Sequence, residues 1–461
     1  MYTYPREGYD EHSLNRGAIA ALILKHRSAA MNLKKNLDYY LAKQKEDLVS
    51  NHAKDISDTA TGYFLGNAIT YKNTGDVDID PLLEAFDAAE VDENDHDNAF
   101  DMSIFGVAYE YIYAKEGANE LDIKSLEPTN TFIVYDDSIE QKPLFAVYYY
   151  ERTNSKNDTT MYYANVFTEN LHYSFLLSMS GTVLVNDTVA RVEPHYMGEI
   201  PVVEYQNNKF KIGDFEQQIN LIDAYNKLSI TRLKDKEQFV DAILLIYGSQ
   251  FADTPEEMSE FAKVLREERM LELPTDAKAE YLIRTLDEAG VEILRKAIKD
   301  DIYTFSHVPN LSDENFAGNT SGVAMEYKIL GLAMITKTKE RYYRKGLRKR
   351  IRIFCHRLGL NSIAMEAKNI VPQFSRGLPK NLLELSQIVA NLDGRVTSET
   401  ALGLLPFVED PAEEVEKLKE EKAEAQERER SFFANTPIET DNNFVSGNAE
   451  ERFGGEVNEA E

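Results

Sequence analysis

Apolar positions along the chain fall into blocks of different period. Residues 13–50 scatter apolar side chains among Lys, Asn and Gln, the spacing of an amphipathic helix behind an irregular, Tyr-rich start. Between Asp101 and Glu204 the segments "IFGVAYEYIYA", "NTFIVYDD", "LFAVYYYERT" and "TMYYANVFT" are dense in Val, Ile, Phe and Tyr and are separated by Gly, Asn, Asp and Pro. They predict antiparallel strands. Because the helical segments cluster outside these strands and do not alternate with them, the expected fold class is α+β.

From Gly213 the period lengthens. Phe215, Ile219, Ile222 and Tyr225 recur at helical spacing, and Phe239, Val240, Ile243 and Leu244 close the segment before Gly248, predicting one long helix or two in tandem over 214–247. A small unit over 249–287 follows. Its "TPEEMSEFAKVL" reads as a helix that Thr254 caps and Pro255 begins, and its "AEYLIRTL" reads as a strand. Val291, Leu294, Ile298, Ile302 and Phe305 then mark a second long helix over 288–307, with Arg295, Lys296 and Lys299 off its apolar stripe. Further on, Val323, Tyr327, Leu330 and Met334 form one stripe, and Leu347, Ile351, Phe354 and Leu358 form another. At about 100° per residue the two are out of phase by about 220°, which a bend near Gly346 would reconcile. "DPAEEVEKLKEEKAEAQERERS" is a charged helix with Pro411 near its start, and residues 435–461 carry too few apolar side chains to fold.

A chain of 461 residues that is 43% apolar can bury a substantial core and divide into two to four domains. Its formal charge of −28 argues against coating nucleic acid or an anionic membrane by bulk attraction. The single cysteine, Cys355, excludes an intrachain disulfide and suits a reducing interior, with the cytoplasm as default. Near the N-terminus only Ala18 to Leu24 are continuously apolar, without a basic leader or a cleavage site. No run approaches the roughly 18 residues a membrane crossing needs, so a soluble protein is expected.

Catalytic signatures are missing: there is no GxxxxGK[ST], GxGxxG, HExxH or GxSxG. The stretch "HVPNLSDENFAGNTSGVAMEY" (307–327) contains "GNTSG", but without a lysine it makes a poor nucleotide loop. It reads either as a connector, with Gly318 turning and Ser321 capping the next helix, or as a loop built for close approach. Between Asp76 and Asp101 lie eleven acidic residues and His96. They could hold Ca²⁺ or Mg²⁺, and Asp95 and Asp97 could serve a metal-dependent phosphohydrolase, but the stretch lacks the Gly and final Glu of an EF-hand and equally fits a solvated helix face. His195 and His307 read as structural. "KTKERYYRKGLRKRIRIFCHR" holds ten basic residues against the single acid Glu340. With Tyr342, Tyr343 and Phe354 interleaved it could contact nucleic acid, or it could pair with acidic faces of the same chain or of a neighbouring subunit, the favoured reading.

Five phrases in series give the chain a recognisable outline: "DTATGYFLGNAITY", "SIFGVAYEYIY", "GEIPVVEYQNNKFKIGDFEQQINLIDAYNKLSI", "VPNLSDENFAGNTSGVAMEYKILGL" and "GRVTSETALGLLPFVEDPAEEVEKLKEE". From about residue 10 to residue 430 the chain resembles the portal proteins of tailed bacteriophages, in the branch typical of long-tailed phages.

The resemblance implies a homo-oligomeric ring, usually of twelve subunits, at one capsid vertex of a virion assembled in the host bacterial cytoplasm. Double-stranded DNA would be packaged and ejected through its channel. The implied partners are the terminase large subunit, the head-tail adaptor, and the major capsid and scaffolding proteins, with no membrane, no cofactor and no enzymatic activity. A wing would span 1–213, a stem 214–248 and 288–307, a clip 249–287, a tunnel loop 308–321, a long bent helix with return to the wing 322–395, and a helical crown 396–434, ahead of a disordered tail. The DNA-channel loop would present Asn310, Asp313, Asn315, Gly318, Asn319, Thr320 and Ser321, while Arg295, Lys296 and Lys299 would be basic groups facing the channel. The alternatives are the phosphohydrolase or a helical scaffold without a channel.

Overall fold

The computed structural model describes residues 2–44, 48–115, 120–154, 159–180, 183–186, 191–238, 243–247, 254–268, 278–282, 288–311, 322–360, 363, 365–376, 382–392, 394–405, 408 and 411–434. In chain order its elements are β1 (Tyr2–Tyr4), α1 (Arg16–Tyr40), α2 (His52–Leu65), β2 (Thr70–Asn73), α3 (Asp80–Ala88), α4 (Val91–Phe105), β3 (Val107–Ala114), β4 (Leu121–Leu126), β5 (Thr131–Asp136), β6 (Pro143–Asn154), β7 (Thr159–Phe167), β8 (Leu171–Ser180), β9 (Val183–Asn186), β10 (Arg191–Pro194) and β11 (Val202–Gln206). Then come α5 (Ile219–Gln238), β12 (Ile243–Tyr247), α6 (Pro255–Glu268), β13 (Lys278–Leu282), α7 (Glu288–Ser306), α8 (Gly322–Lys328), α9 (Leu330–Leu360), β14 (Ile370–Gln373), α10 (Leu382–Leu392), α11 (Ser398–Leu402) and α12 (Pro411–Ala434). The fold is α+β, and the chain forms two compact units, Met1–Leu378 and Pro379–Glu461.

The strand segments read from the sequence build the first unit. A seven-stranded sheet runs β1-β5-β6-β7-β8-β10, with β9 also on β8. All its pairings are antiparallel except β1 on β5. Alternation puts Phe132, Val134, Phe145 and Val147 on one face, and α1 lays Ile19, Ala20 and Ile23 against them. His26 in α1 reaches Tyr149 Oη at 2.8 Å, and burial lowers its imidazole to about 4, which keeps this core contact uncharged at neutral pH. A three-stranded sheet, β11-β3-β4, adjoins α4 and α9.

Phe215, Ile219, Ile222 and Tyr225, the stripe that opens the expected first long helix, are all buried with α2, α7 and the start of α9. Residues 243–247 differ from expectation: they form β12, paired antiparallel with β13. An uninterrupted Ile-Leu-Leu-Ile-Tyr run has neither period, so pattern alone does not separate strand from helix. Thr254 does cap α6, its Oγ1 accepting from Glu257 N at 3.3 Å.

The two stripes after residue 322 are not separated by a break at Gly346. A single turn residue, Ile329, separates α8 from α9 with helical hydrogen bonds on both sides of it, and α9 continues through Gly346 to Leu360. Leu332, Thr336, Lys339, Tyr343, Gly346, Arg350 and Ile353 are buried in steps of three and four, so one continuous seam faces the core. Polar residues complete it. Tyr327, Leu330 and Met334, from the other stripe, are 74%, 51% and 63% exposed. Glycine is required at 346 for close approach: a Cβ there would come within 2.5 Å of Tyr205 Cε1 and 3.2 Å of Glu204 O on β11.

In the second unit, Thr397 caps α11 through Thr400 N and Pro411 opens α12. The expected disordered tail, 435–461, lies outside the described residues.

Candidate functional site

Helices α5 and α7 pack against each other. They are tied by Arg232, which donates to Glu288 Oε2 at 3.0 Å and Glu292 Oε2 at 2.6 Å. Arg295 is committed to the same junction: it donates to both Glu292 oxygens and to Tyr225 Oη at 2.5 Å, with its guanidinium over the Tyr225 ring. Lys296 is exposed and Lys299 half-buried. Burial, reinforced by the Lys299 and Arg295 charges, holds the His52 imidazole below its usual value.

Helix α7 ends at a sharp exit. Ser306 Oγ donates to Tyr303 O at 3.0 Å and accepts from Val308 N at 3.3 Å, His307 takes φ +60°, and Val308 plugs into the core ahead of Pro309. Lys296, Asp300, His307, Asn310 and Lys328 line a cavity of about 600 Å³ at this exit. Of the seven proposed loop residues, the structure places Asn310 here. Asp313, Asn315, Gly318, Asn319, Thr320 and Ser321 lie outside the described residues.

The acidic and basic stretches meet in the core of the first unit. Arg350 on α9 donates from Nη2 to Asp95 Oδ1 at 2.6 Å and from Nε to Glu110 Oε1 at 2.9 Å, with Nη2 also on Glu110 Oε2. Tyr343 Oη donates to Asp95 Oδ1 at 2.5 Å, and Asn98 Nδ2 to Glu110 Oε2 at 3.2 Å. All five side chains are buried. One guanidinium thus serves two carboxylates in a low-dielectric site. Asp95 is spent on Arg350, while Asp97 points out on the other side of α4. Among the described residues no three His, Cys, Asp or Glu side chains are grouped to hold a metal ion. Sequence reading missed Glu110, whose one signal is a lone acid inside "VAYEYIY".

The basic stretch divides by helix face. Lys339 reaches Asp214 Oδ2 at 2.5 Å, and Asp214 also accepts from Ser103 Oγ and Asn207 Nδ2. Lys349 donates to Val202 O at 2.9 Å, and burial lowers its ammonium to about 8. Arg352 forms a forked pair with Glu199. Pairing within the chain therefore accounts for these cations, and Tyr343 and Phe354 are too buried to stack on bases. Lys337, Arg341, Lys345 and Arg348 remain exposed.

Asp101, the last residue of the acidic stretch, lies beside Ser125. Burial, reinforced by the Asp97 charge, pushes its carboxyl up to about 8. The folded chain then retains a proton that the unfolded chain releases above the ordinary aspartate value, so this site's contribution to stability declines as pH rises towards 8 and levels off above it. Asp101→Asn is expected to flatten that decline in urea melts recorded between pH 5 and 9. An unchanged slope would refute the assignment.

The charged groups that the structure gathers serve internal pairing and hold long helices to sheets, as in a structural protein. The family described as "Phage portal protein, SPP1 Gp6-like" matches residues 21–428. The portal protein of Bacillus phage SPP1 is 25% identical over 394 residues, covering 81% of this chain and 76% of that protein. That of Clostridium phage phiCD119 is 26% identical over 298 residues, covering 62% and 63%. Among solved structures, a chain of the virion of a native gene transfer agent particle aligns with a TM-score of 0.45 at 11% identity, covering 83% of this chain and 99% of that one. A chain from the neck of the native particle, computed with C12 symmetry, aligns with a TM-score of 0.40 at 12% identity, covering 77% and 88%. The chain belongs to the phage portal protein family, a structural family, in its SPP1 Gp6-like branch. Among the described residues no helix is long and apolar enough to cross a membrane.

Proposed function

We propose that this chain is the subunit of a portal ring at a capsid vertex, a conduit for DNA packaging and ejection and a platform for the terminase and the head-tail adaptor. The observation that carries the reading is the family match across residues 21–428, which takes in α5, α7 and the residues between α7 and α8. On this reading 1–213 and part of 322–395 form the wing, α5 and α7 the stem, and 249–287 the clip that meets the terminase and adaptor. Residues 308–321 form the tunnel loop and 396–434 the crown. The phosphohydrolase reading loses its support, since Asp95 is held by Arg350.

Negative-stain microscopy of the purified chain is expected to show rings with a central hole; a monomer or dimer would sink the proposal. Within the channel, Lys296 and Lys299 are the freer cations and Arg295 contributes less, because its guanidinium is bound to Glu292 and Tyr225. Neutralising all three is expected to lower packaging rate or DNA retention, through lost phosphate contacts that are individually weak and salt-dependent. Unchanged packaging and retention would remove these residues from the channel.

A further inference from the structure

The internal pairing of the basic and acidic stretches leaves a residue of each unmatched. Nine of the eleven acidic residues between Asp76 and Asp101 are exposed, the exceptions being Asp95 and Asp101. Among the described residues none of the nine forms an ion pair. On α9, Lys337, Arg341, Lys345 and Arg348 are exposed at spacings of four, four and three, and they too have no ion-pair partner among the described residues. The acid patch repels itself, and bare charge of one sign at this density favours a partner of the other sign.

The Arg350–Asp95 contact fixes how the two patches are aimed. At about 100° per residue, Lys337, Arg341, Lys345 and Arg348 lie at least about 140° around α9 from Arg350. Glu93 and Asp97 lie about 160° around α4 from Asp95. Since Arg350 and Asp95 touch at 2.6 Å, the basic face of α9 and the acidic face of α4 are turned away from each other. One subunit cannot bring them together.

We infer that the outer basic face of α9 docks on the outer acidic face of α3 and α4 of the next copy of this chain, as a head-to-tail electrostatic contact repeated around the assembly. The inference rests on the ring reading. Two dissimilar, complementary faces on opposite sides of one subunit are what a heterologous closed ring requires. A second copy covers both unmatched patches with one kind of contact, whereas nucleic acid would cover the basic one alone and leave the acids bare. The contact lies outside the loop and the stem, so it governs assembly and not passage of DNA.

The test uses two charge-reversed full-length chains. One carries Arg341→Glu, Lys345→Glu and Arg348→Glu; the other carries Asp87→Lys, Glu93→Lys and Asp97→Lys. Each alone presents like charges on both faces, and its assembled fraction is expected to fall about tenfold or more at low ionic strength, where such contacts are screened least. Mixed in equal amounts, the reversed faces become complementary again and assemblies of alternating subunits are expected by native mass spectrometry. This rescue also shows that each variant is folded. If the wild type forms rings and either variant does so equally well alone, the inference falls while the portal reading stands. If both variants melt as the wild type does and the mixture stays unassembled, the two faces do not meet. Rings that persist in the basic-face variant while its binding to a labelled duplex is lost would reassign that face to nucleic acid. A wild type that forms no ring would end both readings.

Discussion

Arg350→Ala is expected to cost roughly 3–5 kcal/mol, the range for removing one partner of a buried ion pair, because Asp95 and Glu110 would be left facing each other without a counter-charge. The comparison that isolates the charge is the triple variant Arg350→Met, Asp95→Asn, Glu110→Gln, which removes all three charges at similar volume and should recover much of the loss. Arg350→Lys should recover less, since an ammonium cannot donate to both carboxylates with the fork of a guanidinium. Urea denaturation of the first-unit transition measures this as a shift in midpoint at constant slope. A stability within about 0.5 kcal/mol of the wild type for Arg350→Ala would mean that the cluster is solvated and not buried.

Gly346→Leu is expected to lose about 3 kcal/mol, at the upper end for forcing volume into a packed interior. Two effects oppose each other here. Leaving glycine in the middle of α9 forgoes about 1 kcal/mol of helix propensity that leucine would restore. Against that, the new side chain would run into Tyr205, which is fully buried, stacked on Tyr343 at 4.4 Å between ring centroids, and hydrogen-bonded to Glu110. Tyr205 cannot swing aside without breaking into the Arg350 cluster, so the steric cost wins. A melting temperature equal to or above that of the wild type would show that β11 yields and that the close approach is not a constraint.

Most of the first unit was legible because its signals are local. The Val-, Ile-, Phe- and Tyr-rich segments became β3, β5, β6 and β7, and Thr254 ahead of Pro255 marked α6. What stayed hidden depends on distant partners. Arg350 and Glu110 are 240 positions apart and Arg350 and Asp95 are 255 apart, so nothing near Arg350 announces that it is buried. Counting only apolar residues put the first half of α9 on the wrong face, because Thr336 and Lys339 occupy the buried seam there while Leu330 and Met334 are exposed. β12 was hidden for the opposite reason, being apolar throughout. Of the candidate channel residues, the sequence placed Arg295 off the apolar stripe but gave no sign that Tyr225 and Glu292 hold it.

The two charged anchors of α9 have a mechanical consequence. Lys339 is bound to Asp214 and Arg350 to Asp95, about 16 Å apart along the helix axis. A rod clamped at two separated points can neither pivot nor slide on its support. Helix α9 must therefore travel as part of the body that carries Asp95 and Asp214. Ile329, the single turn residue between α8 and α9, is held as well: its N–H donates to Met325 O at 3.2 Å, its carbonyl accepts from Ala333 N at 2.9 Å, and its side chain is buried in the core. A push on α8 is then passed through α9 to the whole body at once.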